Sequence, residues 1–213
     1  NDVRQRLFHL IDQTPWLDWQ IVTKRPENIL RIWPRRKDIT YTPEAGTMND
    51  WPENYRPNVW LLASVEDQPR FEERIPHLLA CRNLVPVLGL SCEPLLGPLD
   101  LRAKIPPYYT AHLQRDRITW VIVGGESGPN ARTCDVAWIR SIAWQCRDAD
   151  IACFVKQLGA HVVHTGADPR LSWPVGKWDH NTCRVALKHP KGGDIEEWPM
   201  DLRVQQFPEV RNG

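Results

Sequence analysis

The sequence predicts an α/β fold: a partial (β/α) TIM-like barrel of parallel strands, incomplete at its N-terminus. Strand and helix patterns alternate about every 30 residues, the length of one βα unit. The strands read as nearly continuous apolar runs, such as Val59-Trp60-Leu61-Leu62-Ala63, which is the pattern of strands buried on both faces beneath helices. Each strand then stops in a charged or polar cluster. A closed eight-strand barrel takes ~250 residues; five strand patterns in 213 residues therefore predict a partial one.

The elements follow in order. Residue 1 is Asn, and Arg4 to Ile11 already reads as an amphipathic helix with Leu7, Leu10 and Ile11 on one face. A chain that opens in a working helix is expected to have lost residues upstream. Trp19 to Thr23 is the first strand, stopped by Lys24-Arg25-Pro26, and Pro26 suits the first turn of a helix through Ile32. Residues 34–57 are rich in Pro, Asp, Asn and Arg and predict a long irregular insertion. Val59 to Ala63 is the second strand, followed by a helix from Phe71 to Cys81 with Ile75, Leu78 and Leu79 on its apolar face. Val85 to Leu90 is the third strand, and residues 106–115 form a short helix or an excursion. Ile118 to Val123 is the fourth strand. Asp135 caps a helix running through Arg147, and Ile151 to Val155 is the fifth strand. Past residue 160 the alternation stops: Val175 to Leu187 suits a small hairpin, and Trp198, Leu202 and Phe207 pack a tail back onto the body. The expected organisation is a barrel part over 1–160 and a packed extension over 161–213.

Composition narrows the function classes. A net charge of +1 demands neither nucleic acid nor an anionic membrane as partner. No apolar run approaches the ~20 residues of a membrane span. The six cysteines show no Cys-x-x-Cys spacing and no secretory context, so reduced thiols in a cytoplasmic protein are expected. His161 and His164 lack a third ligand nearby, and no metal ligand is assigned.

In parallel α/β folds, ligands bind at the carboxyl ends of the strands. Here these ends carry Lys24, then Ser64 with Glu66, then Ser91 with Glu93, then Gly124-Gly125-Glu126-Ser127, then Lys156. Side chains two apart share a strand face, so each Ser-x-Glu pair points one way. If the strands line a barrel, Glu66, Glu93 and Glu126 converge on one mouth flanked by Lys24 and Lys156. Such a set can shuttle protons, hold a zwitterionic ligand or bind a divalent metal. Glu66, Glu93, Glu126 and Lys156 are the catalytic candidates; Lys24, Ser64, Ser91, Gly124, Gly125 and Ser127 are the cofactor-binding candidates. Two glycines after a strand let the backbone approach a ligand or turn tightly. Cys92, beside Glu93, reads as a buried small thiol rather than a nucleophile.

Thr23-Lys24-Arg25-Pro26-Glu27-Asn28, Ser64-Val65-Glu66-Asp67-Gln68, Glu93-Pro94-Leu95-Leu96-Gly97, Val123-Gly124-Gly125-Glu126-Ser127-Gly128, Phe154-Val155-Lys156-Gln157 and Lys191-Gly192-Gly193-Asp194 together resemble the phage-associated gp-thirty-seven/gp-sixty-eight family, over nearly the whole chain. That resemblance implies a radical-SAM-like barrel. Fuller members carry an upstream cysteine cluster ending in Cys-x-x-Cys-Tyr, which implies an iron–sulfur cluster and S-adenosylmethionine in the full-length protein. The cysteine segment has no counterpart in this sequence. Gly124-Gly125-Glu126 is similar to the radical-SAM motif that holds the ammonium group of S-adenosylmethionine. That motif follows an early strand and this one a late strand, so the role is not transferred.

Three functions follow as expectations. The first is a radical-SAM-like enzyme acting on a small molecule, a nucleotide or a nucleic acid. The second is a divalent-metal-dependent hydrolase or lyase using Glu66, Glu93 and Glu126. The third is a non-catalytic nucleic-acid-binding protein gripping its partner through the insertion with Arg35, Arg36 and Lys37.

Overall fold

The computed structural model describes residues 2–34, 54–102, 118–165, 175–179 and 182–210. The insertion residues Arg35, Arg36 and Lys37 and the predicted excursion at 106–115 lie outside them. Helix α1 spans Asp2–Gln13 and leads to strand β1, Trp19–Thr23. A 3-10 turn at Pro26–Asn28, with Pro in its first turn, runs into the single-turn α2, Ile29–Ile32. Strand β2 is Val59–Ser64, and α3 covers Gln68–Leu79. The Asp67 carboxylate starts α3 by accepting from Arg70 N at 2.9 Å. Strands β3 (Val87–Cys92) and β4 (Trp120–Gly124) follow, then β5 (Cys134–Asp135), α4 (Val136–Asp148) and β6 (Ala152–Gln157). The Asp135 carboxylate caps α4 through Ala137 N at 2.8 Å. Strands β7 (Val162–Thr165), β8 (Val175–Asp179) and β9 (Thr182–Val185) come next, and two 3-10 turns, Ile195–Glu197 and Met200–Leu202, lead into the tail.

The main sheet has five strands in the order β1-β2-β3-β4-β6, and every pair in it is parallel. The order never reverses, so each connection carries the chain one strand onward in the same direction. Right-handed crossovers then place the helices on one face. The packing agrees: Phe71, Ile75, Leu78 and Leu79 of α3 and Val136, Ile139 and Ile142 of α4 share one core with Leu61, Ala63, Leu88, Leu90, Val121, Val123 and Val155. The opposite face carries a smaller cluster of Trp60, Leu62, Val87 and Trp120, with Ile122 and Phe154 against it. Strands β2 and β3 are buried at every position, as their unbroken apolar runs require. Among the described residues the sheet is open, with β1 and β6 at its two ends, and no closed barrel forms.

The first helix corrects its predicted face. Phe8 and Ile11 are its buried residues, while Leu7 and Leu10 are exposed. Phe8 packs inward against Trp33, with ring centroids 4.9 Å apart in a T-shaped pair, and beneath the Arg56 guanidinium, 4.6 Å from its ring centroid.

The second sheet, in the order β5-β7-β9-β8, contains the predicted hairpin as the antiparallel pair β8 and β9. It also includes β5 from before residue 160, which pairs parallel with β7. The tail returns as expected: Trp198 and Leu202 are buried, and Gln205 bridges Phe154 antiparallel on the outer side of β6. Phe207 rests against Trp120 and Phe154, with ring centroids 5.6 and 5.3 Å away.

Candidate functional site

The Ser-x-Glu repeat is a feature of register. Ser64 pairs directly with Ser91 across β2 and β3, so the two repeats run side by side off the sheet. Both serines are buried, and Glu66 and Glu93 emerge two residues beyond them, at the carboxyl ends. Two further backbone bonds fix these ends: Leu96 N donates to Glu66 O at 2.8 Å, and Leu95 N donates to Gly124 O at 2.9 Å.

The structure brings both predicted lysines to predicted carboxylates. Lys24 Nζ lies 2.6 Å from Glu66 Oε1, and Lys156 Nζ lies 3.1 Å from Glu93 Oε2. Glu66 holds a second cation, because Arg74 Nη1 donates to its Oε2 at 2.8 Å and to Ser64 O at 2.7 Å. Burial alone would raise the Glu66 pKa, but the Lys24 hydrogen bond and the Arg74 charge outweigh it and hold the carboxyl below its ordinary range. Glu126 is taken by Arg132, whose Nε and backbone N both donate to Oε2 at 2.8 Å. These bonds pull its pKa down to about 2. Ser127 sits exposed beyond Glu126.

Glu93 is held differently. One of its oxygens meets Lys156, and the other, Oε1, is buried with no hydrogen-bond partner among the described residues. It lies against the backbone of Gly124, where a Cβ would fall 2.9 Å from Oε1 and 2.8 Å from Gln157 O. Gly124 therefore makes room for the Glu93 carboxylate. Gly125 serves packing of another kind. A Cβ there would fall 2.1 Å from Leu158 O, because Gly159, at φ +105°, stacks on it. Gly192 closes the stack from the other side: its carbonyl accepts from Leu158 N at 2.9 Å and from Trp198 Nε1 at 3.0 Å. The Gly-Gly-Glu turn and the Lys-Gly-Gly-Asp turn, distant in sequence, are thus packed through one another.

The three glutamates share one rim, yet they do not converge as metal ligands. Glu66 is paired with Lys24 and Arg74, Glu93 with Lys156, and Glu126 with Arg132. No group of three or more His, Cys, Asp or Glu side chains among the described residues could hold a metal ion.

Sequence reasoning missed the arginines. A cleft of about 280 Å³ opens beside Glu66, lined by Lys24, Arg70, Arg74, Arg132 and the carboxylates of Glu66 and Asp67. Pro94 and Leu96 complete its wall. Arg70 and Arg74 stand four apart in the first turns of the helix that follows a strand end, a spacing that aims both at the strand ends. That signal was available. Arg132 lies in an irregular loop and carries none.

The cysteines are all free and buried. Burial pushes the Cys81 thiol up to about 11 and Cys134 to about 12, and raises Cys92 as well. A hydrogen bond with Cys153, together with burial, raises Cys146. Cys92 belongs to the helix-side core, away from the Glu93 side, and is an inert packing thiol. No helix among the described residues is long and apolar enough to cross a membrane.

A family profile described as "Protein of unknown function (DUF5131)" matches residues 1–199. No curated protein and no solved structure matches the chain.

Proposed function

The chain belongs to the DUF5131 family, and for it we propose a radical-SAM-like barrel enzyme that binds S-adenosylmethionine at the carboxyl ends of its parallel strands and acts on a nucleotide or nucleic acid. The singly wound sheet, with helices on one face and charged strand ends on one rim, supports the barrel half of this reading.

Glu93 carries the ligand half. A buried carboxylate oxygen without a partner is costly, and its natural complement is a donor supplied from outside. The ammonium group and the ribose hydroxyls of S-adenosylmethionine are such donors. Lys156 holds Glu93 in place through the other oxygen, and Lys24 offers a cation to the ligand's carboxylate from the end of β1, two strands along the rim. Ser64 and Ser91 bring two hydroxyl-bearing side chains to the same rim. When bound, S-adenosylmethionine supplies an activated sulfonium centre. The chain's own part is to orient it and to keep Glu66 and Glu126 ionised beside it.

The cysteines of this chain do not fit an iron–sulfur cluster. All six are buried packing residues, and none belongs to a ligand-like group among the described residues. No step is assigned through a cluster.

Titrating S-adenosylmethionine into the protein by calorimetry tests the reading. Glu93→Gln keeps the shape and removes the charge. It should weaken binding about tenfold to a hundredfold, the range of a lost charge-assisted hydrogen bond. Absence of binding to the unaltered protein, or equal binding by Glu93→Gln, overturns the proposal.

A further inference from the structure

We infer that the arginine-lined cleft beside Glu66 is a phosphate site, built for the terminal phosphate or diphosphate of a small molecule. Its walls present four cations, Lys24, Arg70, Arg74 and Arg132, against two carboxylates, Glu66 and Asp67. Both carboxylates are already committed. Asp67 caps α3 through Arg70 N, and Glu66 is divided between Lys24 and Arg74. The lining itself carries four cations against two carboxylates; Glu73 and Glu126 pair Arg70 and Arg132 from outside it, so a phosphate group shares these two cations with them.

The cations also have donors to spare. An arginine offers five N–H donors and a lysine three. Arg74 spends Nη1 on Glu66 and Ser64 O, Arg70 spends Nη1 on Glu73, and Arg132 spends Nε and Nη2 on Glu126. Lys24 spends one contact on Glu66. The partners outside the cleft differ: Arg70 and Glu73 are 51% and 59% exposed, so water screens that pair, while Arg132 is held by Glu126 through its backbone N, Nε and Nη2 and keeps Nη1 for a ligand. A tetrahedral dianion can take up the free guanidinium edges without breaking the buried Arg74–Glu66 contact, and Arg74 supplies a rigid inner wall. The volume of about 280 Å³ lies at the small end of ligand sites. It admits a phosphate group and the first atoms attached to it, with the remainder of the ligand leading out along the rim.

This site shares Lys24, Glu66 and the strand ends with the proposed S-adenosylmethionine site, which it rests on in part, but Arg70, Arg74 and Arg132 are its own and Glu93 is not part of it. The two ideas therefore fail separately. Calorimetry on the whole chain, with inorganic pyrophosphate, a nucleoside 5′-monophosphate and the bare nucleoside as probes, decides the matter. Both phosphates should bind, the nucleoside should not, and affinity should fall as salt rises. Arg70→Gln alters an exposed side chain, so its thermal melt should match the parent; Arg132→Gln also gives up the Glu126 pairing, so it is titrated well below its own melting temperature. Each should weaken pyrophosphate about tenfold or more. Failure of pyrophosphate to bind, or unchanged affinity in both variants, overturns the inference. Equal or tighter binding of an oligonucleotide lacking terminal phosphates overturns it too, by assigning the cleft to a phosphodiester backbone. Normal S-adenosylmethionine binding beside absent phosphate binding rejects this inference alone.

Discussion

Single residues at the strand ends are under unequal constraint. Gly125 faces backbone at 2.1 Å, and backbone cannot step aside. Gly124 faces Gln157 O and the movable Glu93 carboxylate. Gly125→Ala should therefore cost more stability than Gly124→Ala, which should cost about 1–3 kcal/mol as overpacking. Urea denaturation of both variants measures the order, and the reverse order would contradict the glycine stack. Glu126 offers a titration test. Its folded pKa is depressed by the side-chain and backbone hydrogen bonds from Arg132. Its contribution to stability is thus complete above the ordinary value of 4.5 and is lost as pH falls through about 2. Carboxyl NMR should show Glu126 titrating near that low value, and Arg132→Gln should return it towards 4.5. Arg56 is the third test. It is buried, paired with Asp12 at 3.0 and 3.2 Å, and donates to Pro34 O at 3.0 Å. Asp12→Ala takes the carboxylate from a buried guanidinium and should cost about 3–5 kcal/mol by urea denaturation.

At the scale of elements, the five main strands were legible because each is an apolar run closed by a polar stop. The bounds moved by a residue or two: β3 begins at Val87 rather than Val85, since Pro86 lies just before it. Strand β5 was not legible, because two residues carry no period. The buried face of α1 was misread because Leu7 and Leu10 are as apolar as Phe8, and only tertiary neighbours choose between them. At the site, the carboxylates and lysines were legible from their places at strand ends. Their pairing depends on inter-strand register, and the arginines come from a helix and a loop. The tail makes an element-scale prediction. It is held by Val155 N to Val204 O at 2.8 Å, Gln206 N to Cys153 O at 2.8 Å and Trp120 Nε1 to Gln206 O at 2.9 Å. Deleting residues 203–213 should lower the melting temperature and bring concentration-dependent light scattering, because it bares the side of β6. An unchanged melt would show that the tail is only draped there.

Across the whole molecule, strand order ties fold to site. With no reversal in β1-β2-β3-β4-β6, there is no crevice of the doubly wound kind, and the charged strand ends line up along one rim. The Lys-Gly-Gly-Asp turn and the tail then fasten the chain's last third to β6 and to the Gly-Gly-Glu turn, so the rim is shaped by segments from both ends of the sequence. The tail's antiparallel bridge has one more consequence. It finishes one rim of the sheet, while β1, at the other rim, has no outer partner among the described residues, and Val22 on it is 51% exposed. As a building unit the sheet is therefore asymmetric: among the described residues its β6 edge is closed by the tail and its β1 edge is not.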